Sequence, residues 1–242
     1  MNPMIDLAEF ERQLASVVGE KLNGQMTRLL AYLGDPPSLD NVPADFWDEV
    51  GGSLEEAVQQ VLQSAYASSS VNLGNAINSQ FQVDVGGAVD WTLANQAAAS
   101  WAATYAFDLV KGINETTQAQ LAEVITGFFQ EGLNMGELRG LIADIFSPER
   151  AAKIGSTEIT RAANRGEYDT IQEIEDAGVE MIATWATSED DHVCDICGPL
   201  DGQEADGTDD AGEPYWELDG EVYGLDPAHP FAAAGAIGSQ PY

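Results

Sequence analysis

Cys194 and Cys197, separated by Asp195 and Ile196, are the two cysteines of this chain, and His192 and His229 are its two histidines. Two thiols with two residues between them can aim at one metal ion, because the intervening turn points both sulfurs the same way. His229, 32 residues beyond Cys197 in Asp226-Pro227-Ala228-His229-Pro230, can then close the ring. Cys194, Cys197 and His229 are therefore the expected ligands of a zinc ion, one short of the four that a structural zinc takes. A redox role would need the pair to open a helix after a strand. Gly198-Pro199, directly behind it, points instead to a knuckle turn. Two thiols without chemistry are the plain alternative.

A second constellation is Glu158, Arg161 and Arg165, three and four residues apart, which helical spacing sets on one face. The plain expectation is a surface ion pair of roughly 0.3–0.5 kcal/mol. The functional alternative is a docking face or an acid–base site.

These groups must be positioned by the elements around them. Apolar residues recur at helical spacing from Leu7 to Leu33, and Gly34-Asp35-Pro36-Pro37 stops the run. A loop over 34–43 reads as a hinge. Pro43 opens a short helix with Phe46, Trp47 and Val50, ended by Gly51-Gly52. Ser53 with Glu56 caps the next, through Val58, Leu62 and Tyr66. Phe81, Val83 and Val85 alternate as a short strand or loop. Ala88 to Lys111 is the strongest helix, with Trp91, Trp101, Tyr105 and Phe107 as expected core and Gly112 as its stop. Thr117 with Gln120, and Asn134 with Glu137, cap two further helices, and Pro148 starts another that Gly178 ends. Val179, Met181, Ala183 and Trp185 alternate as a strand feeding the cysteines. Glu204 to Gly212 reads as a solvated loop. Trp216, Leu218, Val222 and Tyr223 flank Asp219-Gly220 as a hairpin.

The fold class is thus α+β. A mainly α-helical region over 1–147 precedes a small C-terminal α+β domain over 148–242, which carries the CxxC knuckle and the β-hairpin.

Charge narrows the function. There are 41 acidic residues against 9 basic ones, a net −32, and no Lys or Arg follows Arg165. Nucleic-acid binders neutralise phosphates with Lys and Arg, so direct non-specific binding of DNA or RNA is not expected. So acidic and Lys-poor a surface also suits work at high salt. There is no apolar run near 18 residues and no basic region ahead of an apolar one, so a soluble chain without a membrane span or a secretion signal is expected. No nucleophile elbow, Walker loop or H-E-x-x-H occurs, and the expectation is that the protein is not an enzyme. A metal-dependent hydrolase or nuclease using the Cys/His site with a water as fourth ligand is the alternative.

The ordered series RAAKIGSTEITRAANRGEYDTIQE, then AG, then WATSEDDHVCDICGPLDGQ, then PAHP, over Arg150 to Pro230, resembles the phage head morphogenesis family, the minor head proteins similar to protein F of phage Mu. The resemblance implies a minor capsid protein of a tailed-phage virion, assembled in the host cytoplasm. Such proteins associate with portal protein and with scaffold or major capsid protein, and some influence DNA delivery. Carried over by position, the family's ligand set falls on Cys194, Cys197 and His229. Family members commonly continue H-P-x-C-x-C, whereas this chain reads His229-Pro230-Phe231-Ala232-Ala233-Ala234. The fourth ligand then falls to Asp191, Asp195, Asp226, His192 or water, or packing holds the turn without a metal.

Overall fold

The structure, a computed structural model, describes residues 7–81, 91–178, 181–185, 193, 195–208 and 214–224; the side chains at 79–81 and 91–93 stand outside that description. Helices α1 (Leu7–Leu33), α2 (Phe46–Phe81), α3 (Trp91–Glu131), α4 (Met135–Ile145) and α5 (Pro148–Asp176) come first, with a 3-10 turn at Leu39–Asn41. The one-turn helix α6 (Cys197–Leu200) and strands β1 (Gly207–Thr208), β2 (Pro214–Leu218) and β3 (Glu221–Gly224) follow. The strands form one antiparallel sheet in the order β1-β2-β3. The chain is mainly helical with a small C-terminal sheet, as the α+β expectation has it. No described helix is long and apolar enough to cross a membrane.

Two compact units are present. One comprises Ala8–Leu62 and Ser100–Ser156; the other gathers Leu7, Gln63–Ala99 and the described residues from Thr157 on.

In the first unit, α1 buries Leu14, Val18, Leu22, Gln25, Leu29 and Leu33, a stripe repeating every three or four residues. Gly34, at φ +76°, ends the helix. The Ser38 amide and the Asn41 side-chain amide both donate to the Leu33 carbonyl at 2.9 Å, so the expected hinge segment is tied back to the end of α1.

Two expected breaks do not occur. The short helix over Pro43–Gly52 and the helix capped by Ser53 are one helix, α2. Gly51 lies inside it because a Cβ there would meet Asn114 Nδ2 at 3.0 Å and Val110 Cγ1 at 3.6 Å, so this glycine serves close packing and is no stop signal. Ser53 caps nothing and accepts from Lys21 Nζ at 2.8 Å. Likewise α3 runs unbroken through Gly112 and Thr117, whose hydroxyl donates to Ile113 O one turn back at 2.7 Å. Its buried stripe is Ala98, Ala102, Ala106, Val110, Ile113 and Leu121. Of the aromatics expected in the core, Trp101 and Tyr105 stack at 5.0 Å while half-buried and Phe107 is exposed, while the Trp91 side chain lies outside the description.

Arg150, in the first turn of α5, ties three elements of this unit together. Its guanidinium donates to Thr117 Oγ1 at 2.9 Å, Ile145 O at 2.9 Å and Ile113 O at 3.2 Å, and partial burial pushes its pKa down. Ile145 O is one of the carbonyls that the end of α4 leaves without a helical partner. Truncation to alanine strands these acceptors. We expect Arg150→Ala to cost about 2–3 kcal/mol in denaturant unfolding, with Arg150→Lys recovering less than half, because an ammonium cannot span the fork. A loss under 0.5 kcal/mol would show that the three bonds are replaced by water.

In the second unit, residues 63–81 of α2 meet residues 157–176 of α5. Ser70 Oγ donates to Gly166 O at 2.9 Å, and a Cβ on Gly166 would fall deep inside contact distance of the Tyr66 carbonyl oxygen. Ala65, Ile77, Ile159, Ala162, Ala163 and Ile174 are buried alongside. Gly178, at φ +89°, ends the chain's turn out of α5 as expected. Of the strand expected over Val179–Trp185, the described residues 181–185 form one isolated bridge, Thr184 to Glu204; 179 and 180 lie outside the described residues. The expected solvated loop over Glu204–Gly212 instead contributes β1 at Gly207–Thr208, because Tyr215 of β2 supplies it with a partner. The possible strand over Phe81–Gly87 falls outside the described residues, apart from Phe81, which closes α2.

Candidate functional site

The run that carries the cysteines builds a small core of its own. Trp185, Cys197, Leu200 and Trp216 are buried together, with Ala183, Val193, Ile196, Ala205, Leu218 and Tyr223 around them. The two indoles meet edge to face at 5.1 Å, a preferred aromatic geometry. Backbone bonds lock the crossing: Trp185 N–H to Gln203 O at 2.8 Å, Gly202 N–H to Trp185 O at 2.7 Å, and Ala205 N–H to Ala183 O at 2.9 Å. Trp216 Nε1 also donates to Gln203 O, at 3.0 Å. Gly202 takes φ +75°, which the Asp201-Gly202 turn requires and side-chain-bearing residues rarely adopt. Asp219 (φ +54°) and Gly220 (φ +83°) form the hairpin turn that the sequence signals.

Cys197 is 1% exposed and in no disulfide. It opens α6, a single turn that holds Gly198-Pro199 and ends at Leu200; Pro199 is tolerated because a first turn does not use its amide. Cys194 and His229, the other two expected ligands, lie outside the described residues, as do Asp191, His192 and Asp226. Asp195 is described and exposed. No group of three His, Cys, Asp or Glu side chains arranged for a metal occurs among the described residues. The one described thiol suits a structural zinc in being shielded from water. Its described surroundings are apolar and hold the turn by packing.

The second constellation differs from the expected surface pair. Arg161 donates to Glu158 at 2.6 Å with side chains only 17% and 8% exposed, because this face of α5 is turned into the unit. Arg165 does not join them. It pairs with Asp169 one turn on, at 2.8 Å, and lies over the Tyr168 ring at 5.6 Å. Asp169 also accepts the hydroxyl of Tyr66, 103 positions away. Burial and the Asp169 carboxylate push the Tyr66 phenol far up, so it stays protonated and donates to Asp169. Tyr66, Ser70 and Asp169 were not singled out by sequence reasoning. The i,i+4 spacing of Arg165 and Asp169 was available as a signal; nothing local announces Tyr66.

Burial pushes the Glu158 carboxyl up to about 8, and the half-buried Glu167 up to about 7. Both folded-state values exceed the unfolded one near 4.5, so the folded chain holds more protons between pH 4.5 and 8. Stability from these groups is complete below that window and is lost as pH rises through it. We expect these two groups to lower the denaturation midpoint as pH rises from about 5 to 8, and Glu167→Gln to flatten the part of that fall below about pH 7. A midpoint that rises over this range would contradict the burial of both carboxyls.

Set against known proteins, the chain matches no family model, no curated protein and no solved structure.

Proposed function

We propose that this chain is a minor structural and assembly protein of a tailed-phage head, a virion component that associates with portal protein and with scaffold or major capsid protein. The observation that carries the reading is what the residues of the head-morphogenesis-like motif do. Trp185, Cys197 and Leu200 are its buried side chains, Asp201-Gly202 its turn, and Gln203 the acceptor for both Trp185 and Trp216. Val193 and Ile196 pack against the same cluster, as befits an assembly module whose motif is a framework. On α5, Arg161 likewise donates to Glu158 and Arg165 to Asp169. In this reading Cys194, Cys197 and His229 hold a structural zinc that adds to a core already closed by two tryptophans; metal analysis of chain purified without chelator, with Cys197→Ser as reference, tests that part. Sedimentation of the purified chain with portal oligomers tests the whole. Co-sedimentation is expected, and its absence at both 0.1 and 1 M salt would end the reading. Persistence at high salt would assign the contact to the apolar helices, and loss would assign it to the acidic surface.

A further inference from the structure

Among the described residues, the sheet of the C-terminal module has one closed side and one open side. On the closed side, the Tyr215 carbonyl of β2 accepts the Asp206 amide at 2.9 Å, and the Glu217 amide donates to the Asp206 carboxylate at 2.7 Å. The main-chain groups of Tyr215 and Glu217 therefore face away from β3. In an antiparallel ladder opposed residues share this property, and Gly224 and Val222 stand opposite Tyr215 and Glu217. Their N–H and C=O groups point outward from β3, where they have no partner among the described residues. The Val222 side chain is 64% exposed, and nothing lies within 4 Å of where a Gly224 Cβ would be, so another backbone can come close.

We propose that this edge of β3 is a docking site for an extended, basic segment of a partner protein, which adds to the sheet as a fourth strand. Backbone pairing to Val222 and Gly224 supplies the register and the exposed Val222 an apolar contact. The charge selects the occupant: Glu217 stands opposite Val222, Asp219 is in the turn and Glu221 begins β3, and no Lys or Arg occurs from Gly166 to Tyr242. A second copy of this chain would set these carboxylates against their own kind, which disfavours self-pairing. The inference stands apart from the head-assembly reading, since it concerns the chemistry of the edge and not the identity of the partner.

The test uses the full chain and a synthetic peptide of alternating Lys and Val. Binding should slow amide exchange at Val222 and Gly224 by about tenfold or more while leaving the ladder amides of Leu218 and Glu221 as they were. Methylating alternate peptide nitrogens on the pairing side should weaken binding about tenfold, as should Val222→Pro, which removes a donor the hairpin does not use. The peptide arm decides the matter if that variant fails to fold. Equal binding of the methylated peptide would mean charge adsorption only and would overturn the proposal. So would protection confined to other segments, equal binding of a Glu–Val peptide, or a dimer of the chain that Val222→Pro dissolves.

Discussion

Replacing Gly166 by alanine is expected to lower the stability of the second unit by about 3 kcal/mol or more, although alanine is the better helix former by roughly 1 kcal/mol. The added methyl would collide with the Tyr66 carbonyl oxygen and come within 2.9 Å of Ser70 Oγ. Backbone atoms of α2 cannot rotate away as a side chain can. The α2–α5 approach would have to widen, and the Ser70–Gly166 and Tyr66–Asp169 bonds would go with it. Gly112→Ala is the matched control, since nothing lies within 4 Å of its Cβ position in the middle of α3. There the same change should stabilise by about 0.5–1 kcal/mol. Opposite signs for one substitution at two mid-helix glycines is a result that propensity alone cannot produce. Equal effects would sink the close-approach account.

The second large effect is a rise in stability with salt. Forty-one carboxylates face nine cations, and most of the cations are already committed. Among the described residues five ion pairs form, and in Arg12–Glu9, Arg28–Glu49 and Lys111–Glu115 both partners are well exposed, where such pairs are worth little. Arg150 is spent on neutral acceptors. Screening therefore removes far more repulsion than attraction. From 0.05 to 1 M sodium chloride the gain should be on the order of 2–3 kcal/mol, a rise of about 5–10 °C in melting temperature for a chain of this length. A flat or falling melting temperature would mean that the ion pairs outweigh the excess of like charge.

Much of the helical framework was legible. Gly34, Gly132 and Gly178 end their helices with positive φ, the Asn134–Glu137 capping box forms both of its bonds, and Asp219-Gly220 turns the hairpin. Each of these signals is satisfied within a few residues of chain. What misled was decided at a distance. Gly51 resembles Gly34 in sequence, but Asn114 and Val110 determine that it packs and does not stop a helix. Thr117 looked like a cap, and Arg150 has a use for it inside a helix. Glu158 looked like one end of a surface pair, yet it is packed away from water. Of the candidate metal site, the burial of Cys197 is on view, with Trp185 and Trp216 against it, while Cys194 and His229 fall outside the described residues.

The most direct measurement is the protein content of heads purified from cells producing the particle, with and without its portal. The account predicts this chain at low copy in heads built on portal and its loss from heads that lack it. Equal amounts in both, or a chain that stays free of particles in either case, would contradict the assignment to head assembly.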